Sequence, residues 1–249
     1  MGGIYENLLL SLLDKNAECI YAASDSISIQ DFKLKHNSIL KKEIISLPTR
    51  FDEVIFSPRE MKSTREKLNL PQNKTILVTT GRLCWVKGWD LLLEVIKNRN
   101  EIDQALLIFV GDGEDRKQIE EKYPGLINNT ILITGFVDSQ TVSDYINSAD
   151  VFILGSYTEG WSTSLIEALA CGKPIVTTNV SSAFDIVNEG VNGFIVKERS
   201  HSIFNKRISD ALELKDVVVA SGQMALKFKK STLYEDFTKN WEAGKILFQ

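Results

Sequence analysis

Long apolar runs, paired cysteines, histidine and surplus positive charge are all scarce in this sequence, and each scarcity removes a class of function. No uninterrupted apolar stretch approaches the roughly 18 residues of a membrane-crossing helix, and the N-terminus has none of the regions of a secretory signal peptide. A soluble, cytoplasmic chain is therefore expected. Three cysteines, Cys19, Cys84 and Cys171, are an odd number at unrelated spacings, and His36 and His201 are the only histidines. That set supports neither a disulfide framework nor a zinc site, so all three thiols are expected reduced, in or near the core. Lys and Arg number 29 against 33 Asp and Glu, a net charge of −4, which argues against a basic face for nucleic acid.

What the sequence does have is regular alternation. With 249 residues, 43% of them hydrophobic, it can bury one large core or two modest ones. Apolar runs at Ile76 to Thr80, Ala105 to Val110, Thr130 to Thr134, Val151 to Leu154, Pro174 to Thr178 and Gly193 to Val196 alternate with helical spacing near 89–97, 115–123, 140–147, 164–170 and 183–188. Strands and helices alternating at these lengths predict an α/β architecture, a doubly wound parallel sheet of six strands. Before it, Tyr5 to Leu13 has helical spacing, Cys19 to Ala23 reads as a strand, Ile29 to His36 as a short helix and Glu43 to Leu47 as a strand. Two strands and two helices are too few to cover a parallel sheet. After Ser200 the pattern is helical, with Leu212, Val217 to Val219, Met224, Leu226, Phe228, Leu233, Phe237, Trp241, Ile246 and Leu247 as expected buried positions. The predicted divisions are 1–55, 56–230 and 231–249.

The stretch Val151 to Thr178 carries the chemistry. A buried-type strand leads into a polar loop, Gly155 to Trp161. Ser162 and Ser164 then offer N-caps for a helix whose apolar face holds Leu165, Ile166, Leu169 and Ala170. Cys171-Gly172-Lys173-Pro174 ends that helix before the next strand. Glu159 in the loop and Glu167 in the helix have seven residues between them, and neither is placed like a core residue. Ligands of parallel α/β sheets bind beyond the carboxyl ends of the strands, where helix N-termini face anions, so these acids would flank a phosphate ester. The plainer reading is that both are solvated surface carboxylates.

Other strand ends add candidates. Gly81 to Gly88, GRLCWVKG, gives a tight turn with Arg82 and Lys87 at the rim; it is no Walker A loop, and two loop cations alone could simply face solvent. Trp85 and Trp89 read as packing residues rather than sugar platforms, with lining of the cleft as the alternative for Trp85. Asp112, Glu114 and Asp115 in VGDGEDR could hold a metal but more commonly cap or complement the next helix. Gly135-Phe136-Val137 closes the third strand with an apolar pair.

TEGWSTSLIEALACGKPIV resembles the Glu-x7-Glu signature of the retaining GT-B glycosyltransferases, in particular the family 4 group that uses nucleotide-sugar donors. GRLCWVKG is similar to that group's GRLxxxKG motif. The resemblance implies a Rossmann-like sheet, the C-terminal half of a GT-B fold, with residues 1–55 a remnant of the N-terminal acceptor domain and linker and 231–249 a crossover helix. It implies that Arg82 and Lys87 contact the donor diphosphate, that Glu159 holds sugar hydroxyls and that Glu167 accepts from the ribose. Gly81, Gly160, Trp161, Ser162, Thr163, Ser164 and Leu165 would complete the donor site, and Phe136 and Val137 would hold the nucleobase. Ser181 to Asp185 departs from the family's Gly-Gly and Pro-Glu, which leaves that turn open.

The activity implied is transfer of a hexosyl group from a nucleotide sugar to a glycan or lipid-linked acceptor with retention. No Asp-x-Asp motif is present, and no metal or other cofactor is expected. Most of the acceptor domain would lie outside these residues, so this chain alone would bind donor and transfer nothing, and the resemblance leaves room for peripheral membrane association of the full-length protein. Two alternatives stay open: an inactive nucleotide-sugar-binding module, and a GT-B sugar-nucleotide epimerase.

Overall fold

Parallel strands covered on both faces can be buried at nearly every position, and the strands within the six runs behave that way, apolar except for the buried threonines Thr79, Thr80, Thr177 and Thr178 and for Gly193. In the computed structural model of the chain, residues 2–17, 20–127 and 129–233, with 235 and 238, are described. The chain opens with helix α1 (Gly2–Asn16), strand β1 (Ile20–Ala22), helix α2 (Ser26–His36) and strand β2 (Ile44–Ser46). β1 and β2 pair in parallel, and Leu10, Ile29, Leu40 and Ile44 form a small core of their own. α2 starts three residues before its apolar spacing does, because Asp25 caps it and accepts from the Ser28 amide at 2.9 Å. Cys19 lies outside the described residues.

Helix α3 (Met61–Lys67) has no counterpart in the sequence reading. Its seven residues, MKSTREK, are too polar and too few to show a period. Glu60 caps it, accepting from the Lys62 amide at 2.9 Å, and burial of Arg65 anchors it. Arg65 Nη2 donates to Asp150 Oδ2 at 2.7 Å and Nε to the Ser148 carbonyl at 2.9 Å, so the buried guanidinium is both paired and hydrogen-bonded. The same Asp150 oxygen accepts from the Ile76 amide at 2.6 Å, which ties α3 to the first strand of the main sheet.

The remaining elements run β3 (Ile76–Thr80), α4 (Trp89–Asp103), β4 (Leu106–Val110), α5 (Arg116–Lys122), β5 (Ile131–Ile133), α6 (Ser139–Ser148), β6 (Val151–Leu154), α7 (Thr163–Ala170), β7 (Ile175–Thr178), α8 (Ala183–Ile186), β8 (Gly193–Val196), α9 (His201–Leu212) and α10 (Val217–Ala225). The six strands form one sheet in the order β5-β4-β3-β6-β7-β8, all pairs parallel. Alternation along each strand divides the core: Ile76, Val78 and Phe152 pack with Ile146 of α6 and Leu165 and Leu169 of α7. Leu77, Val151 and Ile153 pack on the opposite face with α4 and with Phe204 and Ile208 of α9. The chain leaves β3 toward β4 and β5, then returns to β6 on the other side of β3. That reversal opens a crevice between the loops after β3 and β6.

Several expected buried positions are exposed: Leu212, Val218, Val219, Leu226 and Leu233. α10 buries Val217, Ser221 and Ala225, four residues apart on one stripe, and three consecutive valines on a helix cannot all share it. Phe228 is buried as expected. Past α10 the chain returns to the linker: the Phe51 amide donates to the Phe228 carbonyl, and the Lys230 amide to the Phe51 carbonyl, each at 3.0 Å. The expected crossover helix over 231–249, with Phe237, Trp241, Ile246 and Leu247, lies almost entirely outside the described residues.

Candidate active site

A cleft of about 400 Å³ occupies the crevice at the strand-order reversal. Arg82, Lys87, Glu159 and Glu167 all line it, as do Gly81, Phe136, Val137, Trp161, Thr163 and Ser164. Gly160, Ser162 and Leu165 do not. Leu165 is fully buried in the core, so only its main chain remains available to a ligand.

Two loops meet at the centre. Gly88, at φ +64°, ends the turn Trp85–Lys87, and a Cβ there would lie 1.8 Å from the Gly155 carbonyl oxygen, so only glycine allows the loops after β3 and β6 to touch. The Tyr157 amide donates to the Val86 carbonyl at 2.8 Å. Lys87 Nζ is then 2.7 Å from Glu159 Oε1, and Ser156 Oγ donates to the same oxygen at 2.6 Å. The Glu159 side chain is only 10% exposed, which overturns the solvated-loop reading of this residue. Its Oε2 has no recorded partner among the described residues.

Arg82 stands apart, 70% exposed, with Glu114 at 4.0 Å. The loop after β4 is pressed against the backbone of the neighbouring Leu83: a Cβ on Gly113 would sit 2.2 Å from the Leu83 carbonyl oxygen. Asp112 accepts from the Gly113 amide at 2.8 Å and from Arg116 Nη1 at 2.9 Å. Those bonds, the amide's foremost, hold its carboxyl below the usual range. Asp115 accepts from the indole of buried Trp89 at 2.8 Å. These acids thus have local protein partners, and among the described residues no group of three or more His, Cys, Asp and Glu is arranged to hold a metal.

α7 begins at the cleft without the caps its sequence offers. Ser162 occupies the N-cap position, yet its hydroxyl lies 3.1 Å from that of Ser164 and bonds no helix amide. The first-turn N–H groups are left to whatever enters the cleft. One turn further, Glu167 is partly buried and makes no recorded hydrogen bond or ion pair among the described residues; burial pushes its carboxyl up to about 7.

At the far end, Phe136 is 85% exposed while Val137 packs against the core. Trp161 is half-buried, edge-on to Phe228 with ring centroids 5.6 Å apart. Trp85 corrects an expectation: it is 64% exposed and neither joins the core nor lines the cleft. It leans on Tyr157, whose hydroxyl donates to Asp90 at 2.8 Å and whose ring lies 3.6 Å from the Arg199 guanidinium carbon. Sequence reasoning missed Phe56, Ser139 and Val142 in the cleft wall and Ser156 under Glu159. Nothing in their local pattern distinguishes them from ordinary core or loop residues.

Comparison with known proteins supplies the family. The profile described as Glycosyl transferases group 1 matches residues 60–230, which contain the whole sheet and every cleft residue except Phe56. The chain belongs to that family. It is 29% identical over 242 residues to the uncharacterized glycosyltransferase MJ1069 of Methanocaldococcus jannaschii, covering 96% of this chain and 59% of that protein. With the 2-deoxystreptamine N-acetyl-D-glucosaminyltransferase of Niallia circulans it shares 36% identity over 129 residues, 51% of this chain and 33% of that enzyme. The chain therefore spans little more than half, or less, of the curated relatives it matches. Anabaena Alr3699/HepE, solved in complex with UDP-glucose, has the same fold at a TM-score of 0.75 and 19% identity, over 95% of this chain and 66% of that one. The α/β fold is thus the GT-B type, and no described helix is long and apolar enough to cross a membrane.

Proposed function

We propose that this chain is the nucleotide-sugar-binding half of a retaining, metal-independent hexosyltransferase of the cytoplasm. The observation that carries the proposal is the set of groups that line one cleft. A cation paired with a nearly buried carboxylate shares the cleft with an uncapped helix N-terminus, and one turn along that helix is a partly buried carboxylate with no partner among the described residues. A nucleoside diphosphate sugar presents a matching set: sugar hydroxyls, two phosphates and a ribose diol.

In this reading Glu159 Oε2 accepts from a sugar hydroxyl while Oε1 stays with Lys87 and Ser156. Lys87, Arg82 and the first-turn amides of α7 face the phosphates. Breaking the bond from the anomeric carbon to the phosphate oxygen leaves an extra negative charge on the departing diphosphate, and fixed positive groups stabilise that charge without reorganising. Glu167, ionised, accepts from the ribose hydroxyls, and main-chain groups of Phe136 and Val137 meet the base. Attack by the acceptor hydroxyl on the face the diphosphate leaves would retain the anomeric configuration. A glycan or lipid-linked acceptor would be held by an N-terminal domain of which residues 1–55 form the closing part. The UDP and UDP-glucose complexes of one fold relative, Anabaena Alr3699/HepE, support a nucleotide-sugar donor here.

Ligand-detected NMR of uridine, guanosine and adenosine diphosphate sugars against this chain tests the proposal. Saturation transfer to one of them, lost in Lys87→Ala, is the expected result. Absence of transfer to all three at millimolar concentration overturns it.

A further inference from the structure

The loop that carries Glu159 is fastened at both ends of that residue. Its carboxylate is held by Lys87 and Ser156, and its carbonyl accepts from Ser181 Oγ at 3.0 Å. Ser181 comes from the turn before α8. Its hydroxyl also reaches Asp25 Oδ2 at 2.8 Å, and Asp25 belongs to the N-terminal piece with its separate small core.

Asp25 is fully buried. Oδ1 accepts from the Ser28 amide and Oδ2 from the Ser28 hydroxyl, each at 2.9 Å, so its carboxylate cannot turn. A second contact runs in the reverse direction: Asp185 Oδ2 accepts from the Ser26 amide at 3.2 Å and from its hydroxyl at 3.0 Å. The N-terminus of α2 and the start of α8 are thus latched by two carboxylates, one from each side. Ser181 has a single hydroxyl proton for two acceptors, so its rotamer is set jointly by Asp25 and the Glu159 carbonyl.

We infer that Ser181 and Asp25 are positioning residues for Glu159: the seating of the N-terminal piece on α8 fixes the Ser181 hydroxyl, and that hydroxyl fixes the backbone of the sugar-reading residue. This rests on the reading of Glu159 given above. Neither residue lines the cleft, so a loss on substitution has to travel through the loop.

The test compares a nucleoside diphosphate with its glucose ester, using the base selected by the NMR screen, by titration calorimetry on the whole chain. Ser181→Ala is expected to raise the dissociation constant of the sugar ester by about fivefold or more while that of the free diphosphate moves by less than about twofold. Ser181→Thr, which keeps the hydroxyl, restores the sugar ester. Asp25→Ala gives a smaller loss with the same split. Hydrogen exchange provides a reading without ligand: amides of 156–160 exchange faster in Ser181→Ala, while β3 and α4 are unchanged. Equal losses for both ligands, or exchange at 156–160 identical to wild type, overturn the inference. If Glu159→Gln itself fails to separate the two ligands, the donor-site reading falls instead, and the exchange measurement still decides whether Ser181 holds the loop.

Discussion

Lys87 and Glu159 are joined by a 2.7 Å contact that bridges the loops after β3 and β6. The cation and the carboxylate belong to different strand ends and different motifs. Their pairing places in the cleft both a positive group and a carboxylate whose second oxygen has no partner among the described residues.

That relationship separates the two cations. Lys87→Ala removes the proposed phosphate contact and also leaves a nearly buried carboxylate with Ser156 alone, so it should lower nucleotide-sugar affinity at least about tenfold, near 1.4 kcal/mol, and also lower the melting temperature. Arg82→Ala removes an exposed cation and should weaken binding by a similar factor with melting unchanged. Calorimetry at low and high salt checks both, since the contact of exposed Arg82 is the more readily screened. An Arg82→Ala protein that binds donor like wild type would take Arg82 out of the site.

Glu159→Gln should spare the free nucleoside diphosphate and penalise the sugar-bearing donor, because an ionised acceptor for a hydroxyl becomes a neutral amide. Hydrogen bonds to charged groups contribute roughly 1.5–3 kcal/mol, so a loss of about tenfold or more is expected for the sugar ester alone. Paired titrations of the two ligands decide it, and equal losses would remove Glu159 from the sugar.

Glu167 is expected to link binding to pH. Its carboxyl sits near 7 because burial disfavours the charge, while a ribose diol donates to the ionised form. Affinity for a nucleotide sugar should therefore rise about tenfold from pH 6 to pH 8, with a proton released on binding, and the slope should vanish in Glu167→Gln. Stability runs the opposite way. The folded-state value lies above the ordinary 4.5, so this group's stabilisation is complete below about 4.5 and is lost as pH rises through about 7. At pH 8 Glu167→Gln should be the more stable protein, by at most about 3 kcal/mol. Melting curves of the two proteins at pH 5 and pH 8 test the sign.

Gly88→Ala should be among the most damaging single-atom additions. The residue needs a positive φ, and the new methyl group would meet the Gly155 carbonyl, so a loss of about 2 kcal/mol or more is expected in urea titration, together with weaker donor binding as the two loops part. Gly160→Ala is the control. A Cβ there meets nothing within 4 Å, and its stability should stay within about 0.5 kcal/mol of wild type. Equal stability of the two variants would show that the loops do not meet as described.

Much of the fold was legible because it depends on short-range pattern. The six strands lie where their buried-type runs are, to within a residue or so at each end, since a strand covered on both faces is dominated by apolar and β-branched residues. α3 was not legible: its stability comes from Arg65 reaching Asp150, a contact 85 residues away that leaves no period in MKSTREK. The surface of α10 was misread for a related reason, as three valines in a row do not say which one faces α7. The cleft residues Arg82, Lys87, Glu159 and Glu167 stood out through motif and strand-end position, yet their electrostatic states did not. The sequence by itself determined the alternation of strands and helices, and hence which loops lie at the carboxyl ends of the strands. Only the tertiary structure decided that Ser162 leaves the α7 amides uncapped, that Glu159 is a nearly buried partner of Lys87 and that Glu167 is desolvated, because dielectric environment and hydrogen-bond choice depend on neighbours that are distant in the chain.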